Sequence, residues 1–329
     1  MIRAGNRSTV YDYPVLPMEQ QLNIDGDESP QERARNGIIA ALIAYVSWGV
    51  LPLYFILMKD VSSLELLVQR VIWAIPFGAL IIHMRRQWPE VRYALTHKRM
   101  LAYLTASAIF IAGNWLVYIW AVQQEEIFQA SLGYYINPLL FAVFGVFFFG
   151  EKLSRLKIIA IVLAAVGVLI LASSGTEIPV IALFLGTSFT IYGVIRKKVV
   201  IGGMPGLFIE TLVLLPLSLA YLFWITRSGQ AVFSFSEPGV AMLLVLAGPL
   251  TVVPLLCFAL AARRLNLSTL GMMQFIAPTL QFLVGLANGE QLTRAHIICF
   301  ACIWVAVAIF SWDVWRSTRV QSGVSADAA

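Results

Sequence analysis

The sequence predicts an all-α membrane protein: ten transmembrane helices arranged as two five-helix repeats of inverted topology, with both termini cytoplasmic. Three observations predict it. Hydrophobic residues make up 59% of the 329 residues and charged residues only 12%, against roughly 45–50% and 25% in a soluble domain, so the chain cannot cover its surface with polar groups. Its apolar runs approach the ~20 residues a helix needs to cross ~30 Å of hydrocarbon, too long for barrel strands. The hexapeptide Gly150-Glu151-Lys152-Leu153-Ser154-Arg155 returns 139 residues later as Gly289-Glu290-Gln291-Leu292-Thr293-Arg294. Each copy follows a long apolar run, the mark of an internal duplication.

Residues 1–36 mix acids, arginines and prolines with no apolar period, and read as a disordered cytoplasmic tail. They also lack the hydrophobic stretch of a cleavable signal peptide. The first repeat, 37–174, holds spans at 37–58, 64–83, 101–122, 130–149 and 156–172. The second, 175–316, holds spans at 178–195, 206–225, 239–262, 268–287 and 295–315. Residues 317–329 form a cytoplasmic C-terminal tail.

Lysine and arginine set the orientation. With the N-terminus inside, nineteen of them fall in cytoplasmic segments and only Lys59, Arg227 and Arg294 in outer loops; Arg70 lies inside a span. The net charge of +5 therefore reflects topology and not nucleic-acid binding. Five spans per half is an odd number, so the second half enters from the opposite side, and the two Gly-Glu copies face opposite compartments. Further echoes run in the same order along the chain. Tyr45-x-x-Trp48-Gly49 is answered by Phe189-x-x-Tyr192-Gly193, and Arg70-x5-Pro76 by Glu210-x5-Pro216. Ser131-Leu132-Gly133 with Pro138 is answered by Thr269-Leu270-Gly271 with Pro278. Inverted repeats of this kind place a binding site near the bilayer midplane between the halves.

The residues quoted next resemble a known family. Asn114-Trp115-Leu116-Val117-Tyr118-Ile119-Trp120-Ala121-Val122 and Ala130-Ser131-Leu132-Gly133-Tyr134-Tyr135-Ile136-Asn137-Pro138-Leu139 carry the likeness. So do the first Gly-Glu motif, Trp48 to Phe55, and Ala277 to Phe282. They are similar to the RarD subfamily of the EamA-type permeases, within the drug/metabolite transporter superfamily. The resemblance covers about residues 37–316. It implies a central cavity lined mainly by spans 1–4 and 6–9, peripheral spans 5 and 10, and residence in a bacterial inner membrane as a multi-pass protein. The acidic tail before residue 37 is no part of that pattern.

An ionisable group in hydrocarbon costs a few kcal/mol unless paired or hydrated, which makes Glu65, Arg70 and Glu210 functional candidates. Arg70 sits about ~10 Å into span 2 and must face the bundle interior. It reads as a counter-ion for an anionic substrate or for Glu210, whose carboxylate would titrate in a proton-coupled cycle; a purely structural ion pair is the competing reading. Glu65, near the outer interface, reads as hydrated. In span 3, Asn114 and Tyr118 share a face, and Asn114 requires a partner on another helix or a ligand. Tyr134 and Asn137 precede Pro138, and Gln274 precedes Pro278. Each proline removes a backbone donor, so discontinuous helices are expected at equivalent places in the two halves. Trp48 and Tyr192 would add aromatic wall. The candidate substrate-binding set is thus Arg70, Asn114, Tyr118, Tyr134, Asn137, Glu210, Gln274, Trp48 and Tyr192.

Gly145, Gly150, Gly167 and Gly285 are expected to let helices approach closely. Glu151 and Glu290 are expected to cap the next helix's free N–H groups. Cys257, Cys299 and Cys302 lie in apolar segments, and the three histidines share no cluster, so neither metal nor cofactor is implied. No Gly-x4-Gly-Lys-Ser/Thr loop for ATP occurs, nor a Gly-x-Ser-x-Gly or His-Glu-x-x-His motif. The expectation is a secondary-active permease moving a small organic solute, metabolite or drug, by alternating access within a lipid bilayer. The alternative is a membrane-embedded sensor, channel or enzyme without transport. The sequence gives no oligomeric state.

Overall fold

In the computed structural model, which describes residues 29–150, 153–174, 179–233 and 238–326, the chain is helical throughout, with no strand among the described residues. Its helices are α1 (Pro30–Leu57), α2 (Ser63–Met84), α3 (Trp88–Thr96), α4 (Lys98–Gln123), α5 (Ile127–Phe149) and α6 (Arg155–Ser173). They continue as α7 (Val180–Arg196), α8 (Gly203–Arg227), α9 (Pro238–Arg264), α10 (Leu267–Met273), α11 (Ile276–Ala287) and α12 (Arg294–Ala326). Among the described residues, nine helical segments are long and apolar enough to cross a membrane, the α10–α11 stretch counted as one. The apolar α7 has 17 residues, about 25 Å at 1.5 Å per residue.

Helix ends follow local chemistry. Ser29 and Glu32 form a capping box, Glu32 N–H donating to Ser29 Oγ and Ser29 N–H to the Glu32 carboxylate at 2.9 Å. Residues 30–36, expected in a disordered tail, therefore begin α1 instead; residues 1–28 lie outside the described set. The loop expected after span 2 contains the short helix α3, whose Pro89 sits where a missing N–H costs nothing. Gly150 ends α5 with φ +65°, and Gly289 has φ +88°. The duplicated glycine thus supplies a left-handed turn after a helix. Nothing among the described residues lies within 4 Å of a Cβ built on Gly150, which corrects its expected role in close packing.

The prolines behave unequally. Pro138 is accommodated inside an unbroken α5, contrary to the expected discontinuity. The chain does break between α10 and α11 at Gln274 and Phe275, just before Pro278.

Packing exchanges the two halves. α1 lies on α9 while α4 lies on α7, α11 lies on α1 while α5 lies on α7, and α2 meets α8. α6 and α12 pair at the edge, where a Cβ on Gly167 would come within 2.8 Å of Cys302 Cβ. Gly49 of α1 is pressed against Leu280 of α11, and Gly193 of α7 against Phe141 of α5. Leu280 stands 139 residues beyond Phe141, the same offset as the hexapeptide. Large apolar side chains such as Phe147 (79% exposed) and Leu217 (74%) point outward, as required of a surface solvated by lipid tails and not by water.

Candidate functional site

A cavity of 640 Å³ lies between the halves, within the range of sites for small organic ligands. At one end its wall includes Arg85, Gln87, Arg196, Gly202, Gly203 and Arg263, which sit in the α2–α3 and α7–α8 connections, at the helix ends that flank the latter, or at the end of α9. The cavity thus opens on the face that carries the basic connections. α1 also starts on that face, since Arg33 Nη2 donates to the Arg263 carbonyl at 3.3 Å. Burial lowers Arg85 from the ordinary guanidinium value, nearby Arg263 lowers it further, and Glu90 acts in the opposite sense. The mouth is therefore crowded with positive charge.

The opposite end is shut. Leu51, Phe55, Met58, Val61, Leu66 and Leu244 belong to one apolar cluster there. Around it, Gln123 Nε2 donates to the carbonyls of Met58 (3.1 Å) and Val61 (2.8 Å), and Tyr54 Oη to that of Leu243 (3.0 Å). Glu65, expected to be hydrated, is 2% exposed and accepts N–H bonds from Val232 (3.0 Å) and Phe233 (3.1 Å) beyond α8. A buried carboxylate needs such donors, and two backbone amides provide them. Glu290 accepts the Phe128 N–H at 2.9 Å. It thus caps the N-terminus of α5, a helix of the first half, where the sequence pointed to the helix that follows it. Glu151, its counterpart, lies outside the described residues.

Eight of the nine candidates line the cavity; the ninth, Glu210, lies behind the wall. Glu210 is fully buried and accepts bonds from Ser107 Oγ (2.6 Å) and Tyr192 Oη (3.3 Å). Its carboxylate is 3.7 Å from Arg196 Nη1. Glu210 and Arg70 therefore do not pair. Arg196 has no counterpart in the sequence reading, where it counted only as a basic loop residue. It is the last residue of α7 and folds back over Gly206, the one residue type there that leaves room for a guanidinium.

The amides are largely occupied by protein. Asn114 Nδ2 donates to the Leu185 carbonyl (2.9 Å) and Ser188 Oγ (3.0 Å) of α7, while its Oδ1 accepts from Tyr134 Oη (3.2 Å). Of the two partners expected for Asn114, a neighbouring helix is the one present. Asn137, with its amide turned to face the acceptors, donates to the carbonyls of Gly133 (3.3 Å) and Gly186 (3.0 Å). Trp48 meets Tyr45 edge-on and Phe258 at a tilt, each 5.8 Å between ring centroids, and its carbonyl accepts from Gln281. Gln274 caps α10 at the helix break and reaches the cavity wall.

Two groups are differently placed. Arg70 Nε donates to Thr251 Oγ1 at 2.6 Å, and Thr251 Oγ1 donates onward to the Ala247 carbonyl. The guanidinium lies 4.1 Å from the centre of the Trp115 ring, a cation–π arrangement. Its terminal nitrogens have no partner among the described residues. Tyr118 Oη is buried and also has no hydrogen-bond partner. Neither Thr251 nor Phe258 was marked by the sequence, because single residues in apolar helices carry no motif, and Tyr45 stood out only as part of a repeat.

An all-helical chain, apolar outside and hollow inside, is a multi-pass membrane protein, and its relatives define a membrane transporter. The EamA-like transporter family model matches residues 35–173. An uncharacterized transporter of Vibrio cholerae is 43% identical over 284 residues, covering 86% of this chain and 94% of its own. Protein RarD of Escherichia coli is 42% identical over 292 residues, covering 88% and 99%. A solved structure titled only as the crystal structure of a protein covers 83% of this chain and 96% of its own at a TM-score of 0.55. At 18% identity it speaks for the fold alone. The chain belongs to the EamA-like transporter family, with RarD-type relatives.

Proposed function

We propose that the protein is a secondary-active permease that moves a small organic solute across a bacterial inner membrane by alternating access. It does so with ten spans in two inverted repeats. The basic face is cytoplasmic by the positive-inside rule, so both termini are inside and the cavity is inward-open. The observation that carries the reading is one cavity between exchanged halves, open at the basic face and sealed at the other.

A repeated glycine supports it. Gly133 of α5 faces the sealed end, where an added Cβ would stand 2.8 Å from the Ala182 carbonyl oxygen. Its repeat equivalent Gly271 of α10, on the open side, has nothing among the described residues within 4 Å. Equivalent positions, one packed and one free, are what inverted repeats present when each half occupies a different conformation. Exchanging those conformations opens the other face. The carboxylate available for proton coupling is Glu210.

The test uses a variant free of native cysteines carrying Ala259→Cys, a cavity position on α9. An impermeant thiol reagent applied to right-side-out and to inside-out vesicles should label it from both sides, faster from the cytoplasmic side. Labelling from one side only would refute alternating access. In the same background Asn288→Cys, exposed between α11 and α12, should react only from outside.

A further inference from the structure

We infer that the cavity takes a monovalent organic carboxylate with an aromatic or other bulky apolar body, the carboxylate lying between Arg70 and the Tyr118 hydroxyl. The inference rests on reading the cavity as a transport site, and names the chemistry of its cargo.

Charge comes first. Among the described residues, the ionic groups on the cavity wall are Arg70, Arg85, Arg196 and Arg263, with no aspartate or glutamate among them. Two carboxylates stand behind the wall: Glu210 already holds Arg196, Ser107 and Tyr192, and Glu90, at the mouth, already accepts from the Gly202 N–H (2.8 Å) and Gln87 Nε2 (3.3 Å). Among the described residues, an amine or the ammonium of a zwitterion would find no carboxylate in the wall and four guanidinium groups against it.

Geometry selects the anion. Thr251 occupies Arg70 Nε and Trp115 covers one face of the guanidinium. What remains is the end-on edge, two terminal nitrogens whose N–H groups run parallel. That edge matches the two oxygens of a carboxylate. One guanidinium balances one negative charge; a doubly charged phosphate would leave a surplus at membrane depth, where it is costly. Trp115 and Tyr118 are three residues apart on α4 and so share a face, which brings the Tyr118 hydroxyl beside the stacked guanidinium. That hydroxyl is 3% exposed as a residue, with no partner of its own. Buried donors are ordinarily paired, and a bound oxygen would pair this one. Trp48, Phe258 and Tyr45 form an aromatic wall further along the same cavity, able to cover an apolar body.

The experiment compares three probes of similar shape on the full chain in nanodiscs: 3-phenylpropionate, its neutral amide, and 3-phenylpropylamine. Calorimetric titration should find the acid bound at least about tenfold tighter than the amide, the size of a hydrogen bond to a charged group, with the amine weakest. Arg70→Gln should erase the acid's advantage and Arg70→Lys restore part of it. Tyr118→Phe should weaken the acid several-fold and leave the amide little changed. Equal binding of acid and amide by the unaltered protein would overturn the inference. So would preference for the amine, absence of binding by all three, or an acid preference that survives Arg70→Gln. Counterflow of the same labelled probes in proteoliposomes separates the two readings. Arg70-dependent binding without counterflow sinks the transport reading and keeps the anion site; equal counterflow of acid and amide does the reverse.

Discussion

A single methyl group at Gly206 tests how the bundle holds Glu210. Gly206 lies in the first turn of α8, and a Cβ built there would overlap the Arg196 guanidinium. Gly206→Ala must therefore push Arg196 away from a carboxylate it approaches to 3.7 Å. Removing one partner from a buried ion pair costs about 3–5 kcal/mol. Glu210 keeps Ser107 and Tyr192, and the Arg196 side chain is 15% exposed, so the lower end, about 3 kcal/mol, applies. Against it stands the gain of alanine over glycine in a helix, at most about 1 kcal/mol. The net loss is about 2 kcal/mol, or an apparent unfolding midpoint lower by roughly 3 °C for a chain of 329 residues. The sign should reverse in an Arg196→Ala background. There the three atoms nearest the added methyl, all from the Arg196 guanidinium, are gone, and Gly206→Ala becomes neutral or stabilising by up to about 1 kcal/mol. Midpoints of the four proteins in one detergent complete the cycle. An equal drop in both backgrounds would show that Gly206→Ala acts through something other than Arg196, and the account of this pair would fail.

Gly248→Ala on α9 should abolish the folded monodisperse peak in size-exclusion chromatography, because its Cβ would collide with the rigid backbone of Trp73 on α2. Gly271→Leu should express and fold normally yet abolish transport and outside labelling of Ala259→Cys, by blocking closure of the inward mouth; normal transport would refute the exchange of conformations. Glu290→Ala frees the Phe128 N–H and should shift the population toward the outward-open state by about tenfold or more, read as faster outside labelling of the same cysteine. Arg70→Ala should leave folded protein in the membrane with transport lost, checked by yield and proteoliposome flux.

Much of the architecture was written in repetition. Apolar runs located the helices because hydrocarbon tolerates little else, and each Gly-Glu copy located a left-handed turn at a helix end. Depth and charge brought out Arg70 and Glu210. What could not be read was the partner of each. Arg196 looked like one basic residue among others at a helix end, because nothing local in the sequence says that it turns back over Gly206. Glu65 looked hydrated because span ends usually are; two backbone amides some 167 residues away in sequence bury it instead. The unequal fate of Pro138 and Pro278 was equally hidden, because a proline only weakens a helix locally and the packing around it decides whether the chain breaks there.

In the proposed pair of repeats Arg70 and Glu210 occupy equivalent places, and their divergence argues for division of labour. A symmetric duplication would have left two like charges facing each other across the cavity, which membrane depth makes costly. In this chain Glu210 has been withdrawn behind the wall and neutralised by its own arginine, with Ser107 and Tyr192 completing its bonds. Arg70 has been left in the wall, held at Nε and stacked on one face, with its terminal edge free. A charge kept only for packing would be expected to end as Glu210 has. Holding a guanidinium so firmly while leaving its binding edge open is preorganisation for a ligand, since the ordering of the side chain is complete before anything binds.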